Sequence, residues 1–189
     1  MAKKSALVAL LALTPLLAHA HTGVDVVHDF SHGLTHPLFG LDHLLAMIAV
    51  GLWAVQLGGR ALWAVPTSFV GVMILGSVLG FANIPLPMVE TGILTSVLLL
   101  GVLITFAVKV PLWASSALVA VFAVFHGYAH GAECPANSMS LLYGAGFVLA
   151  TASLHLVGIG AGKLVGTTAK DWALRACGAA VLVGGILLA

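Results

Sequence analysis

Two short stretches of the chain set imidazoles and carboxylates where they can act together. The first is His36-Pro37-Leu38-Phe39-Gly40-Leu41-Asp42-His43; the second is Phe125-His126-Gly127-Tyr128-Ala129-His130-Gly131-Ala132-Glu133. In the second, His126 and His130 are four positions apart and stack on one face of a helix. Glu133, three positions after His130, shares that face. Two imidazoles and a carboxylate converging in this way suit a divalent transition metal. Asp42 is a carboxylate in apolar surroundings, which at the centre of a helical span costs about 2.5–3.5 kcal/mol on insertion scales and less towards the interface. Something must compensate it: a cation, or a histidine paired with it. Pro37 and Gly40 predict that the helix carrying this first stretch begins late or is distorted.

The remaining histidines divide by position. The chain has nine, against seven Lys and Arg and six Asp and Glu. His28 and His32 precede His36 at the same spacing of four, but lie in a polar segment and read as exposed. His155 stands alone in a later apolar stretch, either as a hydrogen-bonded packing residue or as part of an exit route. His21 becomes the first residue if a leader is removed before it, and its α-amine and imidazole can then chelate a metal. The two cysteines, Cys134 and Cys177, are placed too far apart for a disulfide. Without a thiolate pair, a nitrogen and oxygen site for Ni²⁺, Co²⁺ or Zn²⁺ is favoured over a Cu(I) site. Gly160-Ala161-Gly162-Lys163-Leu164 lacks the first glycine and the Ser or Thr of a phosphate-binding loop. With no ATPase motif, any transport is secondary or draws on another subunit.

The elements that position these residues follow from composition. Of 189 residues, 61% are hydrophobic and 7% charged, whereas soluble domains average about 45–50% and 25%. So few charges cannot solvate a soluble globule, nor supply the basic patch that nucleic-acid binding needs. Lys3 and Lys4, the apolar run Ser5–Leu17 and the small residues of Ala18-His19-Ala20 form a signal peptide over 1–20. A periplasmic segment, 21–35, and an all-α domain of six transmembrane helices, 36–189, follow. The spans are expected at Pro37–Leu57, Ala61–Phe81, Val89–Val108, Leu112–Ala132, Met139–Ala161 and Asp171–Ala189, where apolarity is continuous and never alternates with period two. With an exported amino terminus, Arg60, Lys109, Lys163, Lys170 and Arg175 all lie at the cytoplasmic side. The start of span one and the end of span four then share the outer side, where the two stretches can meet. Six spans also divide into two groups of three, which would set the halves in inverted orientation, although the halves show no convincing sequence match. Gly76/Gly80, Gly127/Gly131 and Gly158/Gly162 have the spacing that permits close helix approach.

The run His36–His43, the run Phe125–Glu133 and His-Thr-Gly at His21–Gly23 together resemble the HupE/UreJ family. The likeness extends over essentially the whole chain, and the family's metal motifs match His36, Asp42, His43, His126, His130 and Glu133. The resemblance implies a bacterial membrane protein, which the signal peptide and the basic residues set in the inner membrane as a multi-pass chain with a periplasmic mature amino terminus. It implies a secondary permease, not an enzyme, with Ni²⁺ or in some cases Co²⁺ as cargo and no prosthetic group. Its partners are the metal ion and the lipid bilayer, with the oligomeric state open. The residues alone reach only a divalent transition metal. They leave two other readings of the same histidines: axial ligands of a haem-binding membrane cytochrome, or the shell of a membrane metalloenzyme.

Overall fold

The computed structural model describes residues 30–134, 140–168 and 170–189. The signal peptide, His21, His28 and most of the expected periplasmic segment lie outside the described residues. Seven helices follow one another: α1 (Phe30–Phe39), α2 (Leu41–Leu57), α3 (Ala61–Phe81), α4 (Val89–Thr105), α5 (Leu112–Ala132), α6 (Ser140–Thr168) and α7 (Lys170–Leu188). The chain is all-helical among the described residues. Three helices are long and apolar enough to cross a membrane: α3, α5 and α6 over Ser140–Gly166. The pair α1 and α2, bent by 86° at Gly40, makes a fourth if counted as one broken span. α4 and the stretch Trp172–Leu188 of α7 are apolar but shorter.

Two helices keep the bounds expected from sequence, Ala61–Phe81 and Leu112–Ala132. Elsewhere the ends differ for local reasons. α4 stops at Thr105 instead of Val108 because Ala107 turns left-handed at φ 52°. Val108 N–H then donates to Leu103 O and Ala107 N–H to Ile104 O, the bond pair that closes a Schellman cap. α6 runs past Ala161 to Thr168, since glycines do not end a helix whose backbone bonds are all internal and whose surroundings offer no competing water. Residues 30–35, expected in the polar segment, are helical and continuous with His36, with Gly33 and Pro37 buried on one face.

Glycine sets how closely the helices approach. On α3, a methyl group at Gly76 or Gly80 would strike the α5 backbone at Val124 or Tyr128. On α5, one at Gly127 or Gly131 would strike α3 at Met73 or Ser77. The two GxxxG pairs therefore interlock with each other. α6 meets α1 through Gly33 and Gly146, and meets α2 through Gly51 and Gly158. α7 meets α4 through Gly101 and Gly178. Trp53, Phe69, Met73, Ile93, Leu100 and Phe147 fill the centre between these seams.

Apolar side chains also cover the outside, among them Leu75, Val78, Leu149 and Leu156, as a lipid-facing surface requires. Trp63, Trp113 and Trp172 lie exposed in the first turns of α3, α5 and α7. Each follows Arg60, Lys109 or Lys170 by a few residues. Tryptophan beside a basic residue at a helix end is the composition of a membrane–water interface.

Candidate metal site

The interlocked glycines fix how α5 is rotated. With Gly127 and Gly131 turned to α3, the preceding residues of each pair, His126 and His130, are forced into the interior, where both are fully buried. α1, seated on α6 by Gly33 and Gly146, brings His36 above them. His36 Nε2 lies 2.5 Å from Glu133 Oε2, a contact across 97 positions of sequence. The ligand atoms of His36, His130 and Glu133 all lie within 4.8 Å of one another, the one group of three such residues among those described that can hold a metal ion. His36 is in the last turn of α1, His130 is in the last turn of α5, and Glu133 caps α5. Two helix carboxyl ends, each with partial negative charge, thus face the same point, and both favour a cation.

One turn deeper, the other motif residues form a second group. Asp42 Oδ1 accepts from His43 N–H at 2.7 Å and lies 3.0 Å from His43 Nδ1. Asp42 is thus hydrogen-bonded to a histidine, one of the two compensations open to it. That pairing places the proton on Nδ1 and leaves Nε2, which has no partner among the described residues, as a free lone pair. A carboxylate that orients an imidazole in this way is a recurrent support of metal ligands. The His43 ring stands 4.7 Å from His130 and 4.8 Å from His126, centre to centre. His126 Nε2 meets Ser96 Oγ at 2.9 Å, and the same hydroxyl reaches Ile93 O at 2.6 Å. The single hydroxyl proton goes to that carbonyl, so Ser96 accepts from Nε2–H and the lone pair of His126 sits on the unpartnered Nδ1.

The expected site residues are therefore divided between two levels. His36, His130 and Glu133 meet directly, as the shared outer side of spans one and four predicts. Asp42, His43 and His126 adjoin them without joining that group. Glu133, the C-cap residue of α5, still bonds to the Ala129 carbonyl through its N–H, and its side chain reaches His36 beside His130. His21 lies outside the described residues. Cys134 and Cys177 form no disulfide with each other.

Several neighbours have no motif to announce them. Tyr143 is fully buried, with its ring 6.1 Å from His36 and 5.8 Å from His32. Phe147 stacks on His130 at 4.9 Å. Ser96 is one small hydroxyl in an apolar helix, and nothing in sequence distinguishes it from any other. His32, expected to be exposed, is half-buried one turn before His36, 5.8 Å from its ring.

A family model described as HupE / UreJ protein matches residues 8–188, nearly the whole chain. The chain belongs to the HupE/UreJ family. Protein HupE of Rhizobium leguminosarum bv. viciae is 48% identical over 180 residues, which cover 95% of this chain and 93% of that one. No solved structure matches. HupE/UreJ proteins are membrane transporters and not enzymes, so the metalloenzyme reading of the histidines falls away. The family match takes in both groups of histidines and all seven helices.

Proposed function

We propose that the chain is a secondary permease for a divalent transition-metal cation, Ni²⁺ first and Co²⁺ second, in the bacterial inner membrane. The observation that carries this is the convergence of His36, His130 and Glu133 within 4.8 Å at the meeting of two helix ends. Their surroundings are graded: the His36 side chain is 27% exposed and Glu133 50%, whereas His130 is fully buried. A hydrated cation enters at Glu133 and His36, trades waters for imidazole nitrogens, and meets His43 and His126 next. Asp42 holds His43 in the tautomer that offers Nε2, and Ser96 does the same for Nδ1 of His126. His21 is an additional outer ligand once residues 1–20 have been removed.

In this reading the bundle crosses the membrane six times, with α1 and α2 as one broken span and α4 and α7 as short ones. The mature amino terminus is periplasmic. The basic residues Arg60, Lys109, Lys163, Lys170 and Arg175 and the three exposed tryptophans then lie together on the cytoplasmic side. A haem reading fits less well, because the carboxylate of Glu133 occupies the approach to His36 that an axial ligand needs.

The test is uptake by sealed proteoliposomes holding the full chain, with Ni²⁺, Co²⁺ and Zn²⁺ offered separately. Wild type is expected to accumulate Ni²⁺. His36→Ala, Asp42→Asn, His130→Ala and Glu133→Gln are each expected to lose at least nine-tenths of that uptake while remaining folded. If all four variants transport normally, the site is wrong. If wild type moves none of the three ions, the permease reading is wrong.

A further inference from the structure

His155 takes no part in either group of histidines, yet it is the polar residue whose burial is hardest to explain by packing. It lies near the middle of α6, is 1% exposed, and neither ring nitrogen has a hydrogen-bond partner among the described residues. A histidine kept only for packing satisfies at least one nitrogen, since leaving a buried polar atom unpaired is costly. Its position is fixed tightly: Gly51 and Gly158 let α2 and α6 approach until a methyl at Gly51 would meet the His155 carbonyl.

A hydroxyl one helical turn away and a thioether bonded to it are the other donors of this region. Thr151 lies one turn before His155 on the same face of α6 and is fully buried. Its hydroxyl reaches the sulfur of Met73 on α3 at 3.5 Å. Met73 in turn is one turn after Phe69, whose ring meets His155 at 5.2 Å and His126 at 5.4 Å. Phe69 thus touches both the deepest histidine of the outer groups and His155. Beyond His155, towards the cytoplasmic end of α2, the buried Oε1 of Gln56 is likewise unpartnered.

We propose that His155, with the Met73 thioether and the Thr151 hydroxyl, forms an inner binding station that receives the cation from His126 and passes it towards the cytoplasm. This rests on the permease reading. The station holds an imidazole, a thioether and a hydroxyl, and the described residues give it no cluster with a carboxylate or a thiol. It therefore binds more weakly than the anionic outer site. Conduction needs that order, because an ion must be able to leave the last site it occupies.

Two measurements on the full chain test it, with Ni²⁺ and Co²⁺ themselves as probes. In proteoliposomes, His155→Ala is expected to lower the maximal Ni²⁺ flux at least tenfold, while the half-saturating Ni²⁺ concentration stays within twofold of wild type. Flux equal to wild type would overturn the inner station and leave the outer site standing. Absence of Ni²⁺ flux from wild type would instead overturn the permease reading itself. Because His155→Ala leaves a void and can fail to fold, the second measurement does not depend on transport. His155→Cys, made with Cys134→Ser and Cys177→Ser, is loaded with Co²⁺ in detergent. A thiolate-to-cobalt charge-transfer band in the near ultraviolet, absent from the protein carrying only the two serine changes, is the expected result. Its absence from folded, cobalt-loaded protein refutes metal binding at this position.

Discussion

Adding one methyl group at Gly127 tests whether the glycine seam positions the histidines. A Cβ there would enter the Met73 carbonyl oxygen, with Met73 C at 2.8 Å and Ser77 N at 2.9 Å. The Met73 oxygen would lie far inside the 3.4 Å at which ordinary contact starts; backbone cannot rotate aside, so α3 and α5 must part by roughly an ångström or more. Forced expansion of a packed interior costs about 1–3 kcal/mol. Ligand groups work only when held to within about 0.5 Å of their geometry, and His126 and His130 flank the altered position. Gly127→Ala is therefore expected to lower both stability and Ni²⁺ uptake. Gly71→Ala is the control: it lies on α3, but a Cβ there meets nothing within 4 Å. Helix propensity alone then acts, and it favours alanine by up to about 1 kcal/mol. In detergent, thermal unfolding should place Gly127→Ala below wild type and Gly71→Ala at or above it. Gly76→Ala strains the same seam at Val124, so the double variant Gly76→Ala/Gly127→Ala should lose less than the two single losses together. A Gly127→Ala protein as stable and as active as Gly71→Ala would refute the argument that the seam sets the site.

Three further outcomes follow from other contacts. Ser96→Ala removes the partner of His126 Nε2 and frees the ring to change tautomer; Ni²⁺ affinity by isothermal titration should fall about 10–100-fold, with Ser96→Thr retaining most of it. Gly40→Ala puts a methyl 3.1 Å from Asp42 Oδ1 and 3.3 Å from His43 Nδ1; both are ends of side chains that can yield, so the protein should fold normally while uptake drops. Arg175→Ala breaks the bond from Arg175 Nε to the Thr105 carbonyl at the end of α4, 2.8 Å long and solvent-exposed; thermal unfolding should register a loss of about 1 kcal/mol, which Arg175→Lys does not restore.

The sequence carried much of this because lipid removes alternatives. Backbone in a hydrocarbon layer must bond to itself, so continuous apolarity between Arg60 and Asn83, or between Pro111 and Cys134, leaves only helix, and the bounds of α3 and α5 follow. The approach of His36 to His130 and Glu133 is legible for a different reason: the number of apolar stretches between the two motifs sets which helix ends can share a side. Sequence spacing could not reveal the sharp bend at Gly40, because a Pro and a Gly permit a break without fixing its angle. The early end of α4 depends on Ala107 adopting a left-handed turn, for which alanine gives no signal. Asp42 needs a cation or a histidine on sequence grounds, and that the adjoining His43 bonds to it becomes visible only in the fold. The environment of His155 is the least legible of all, since it depends on Phe69, Met73 and Thr151, ordinary residues of three-dimensional packing.

The helices of this bundle are joined by glycine along some boundaries and not along others. α3 and α5 are locked together, α1 and α2 are each locked to α6, and α4 is locked to α7. α1 itself rests on α6 and has no comparable packing against α5. The reach from His36 to Glu133 is therefore a bridge made by side chains between two helices that share no glycine seam. In the proposed permease, a cation gripped by both would be a rivet across that boundary. Its arrival would draw the two helix ends together and its departure would release them, so that the energy of coordination would act at a joint held by side chains alone.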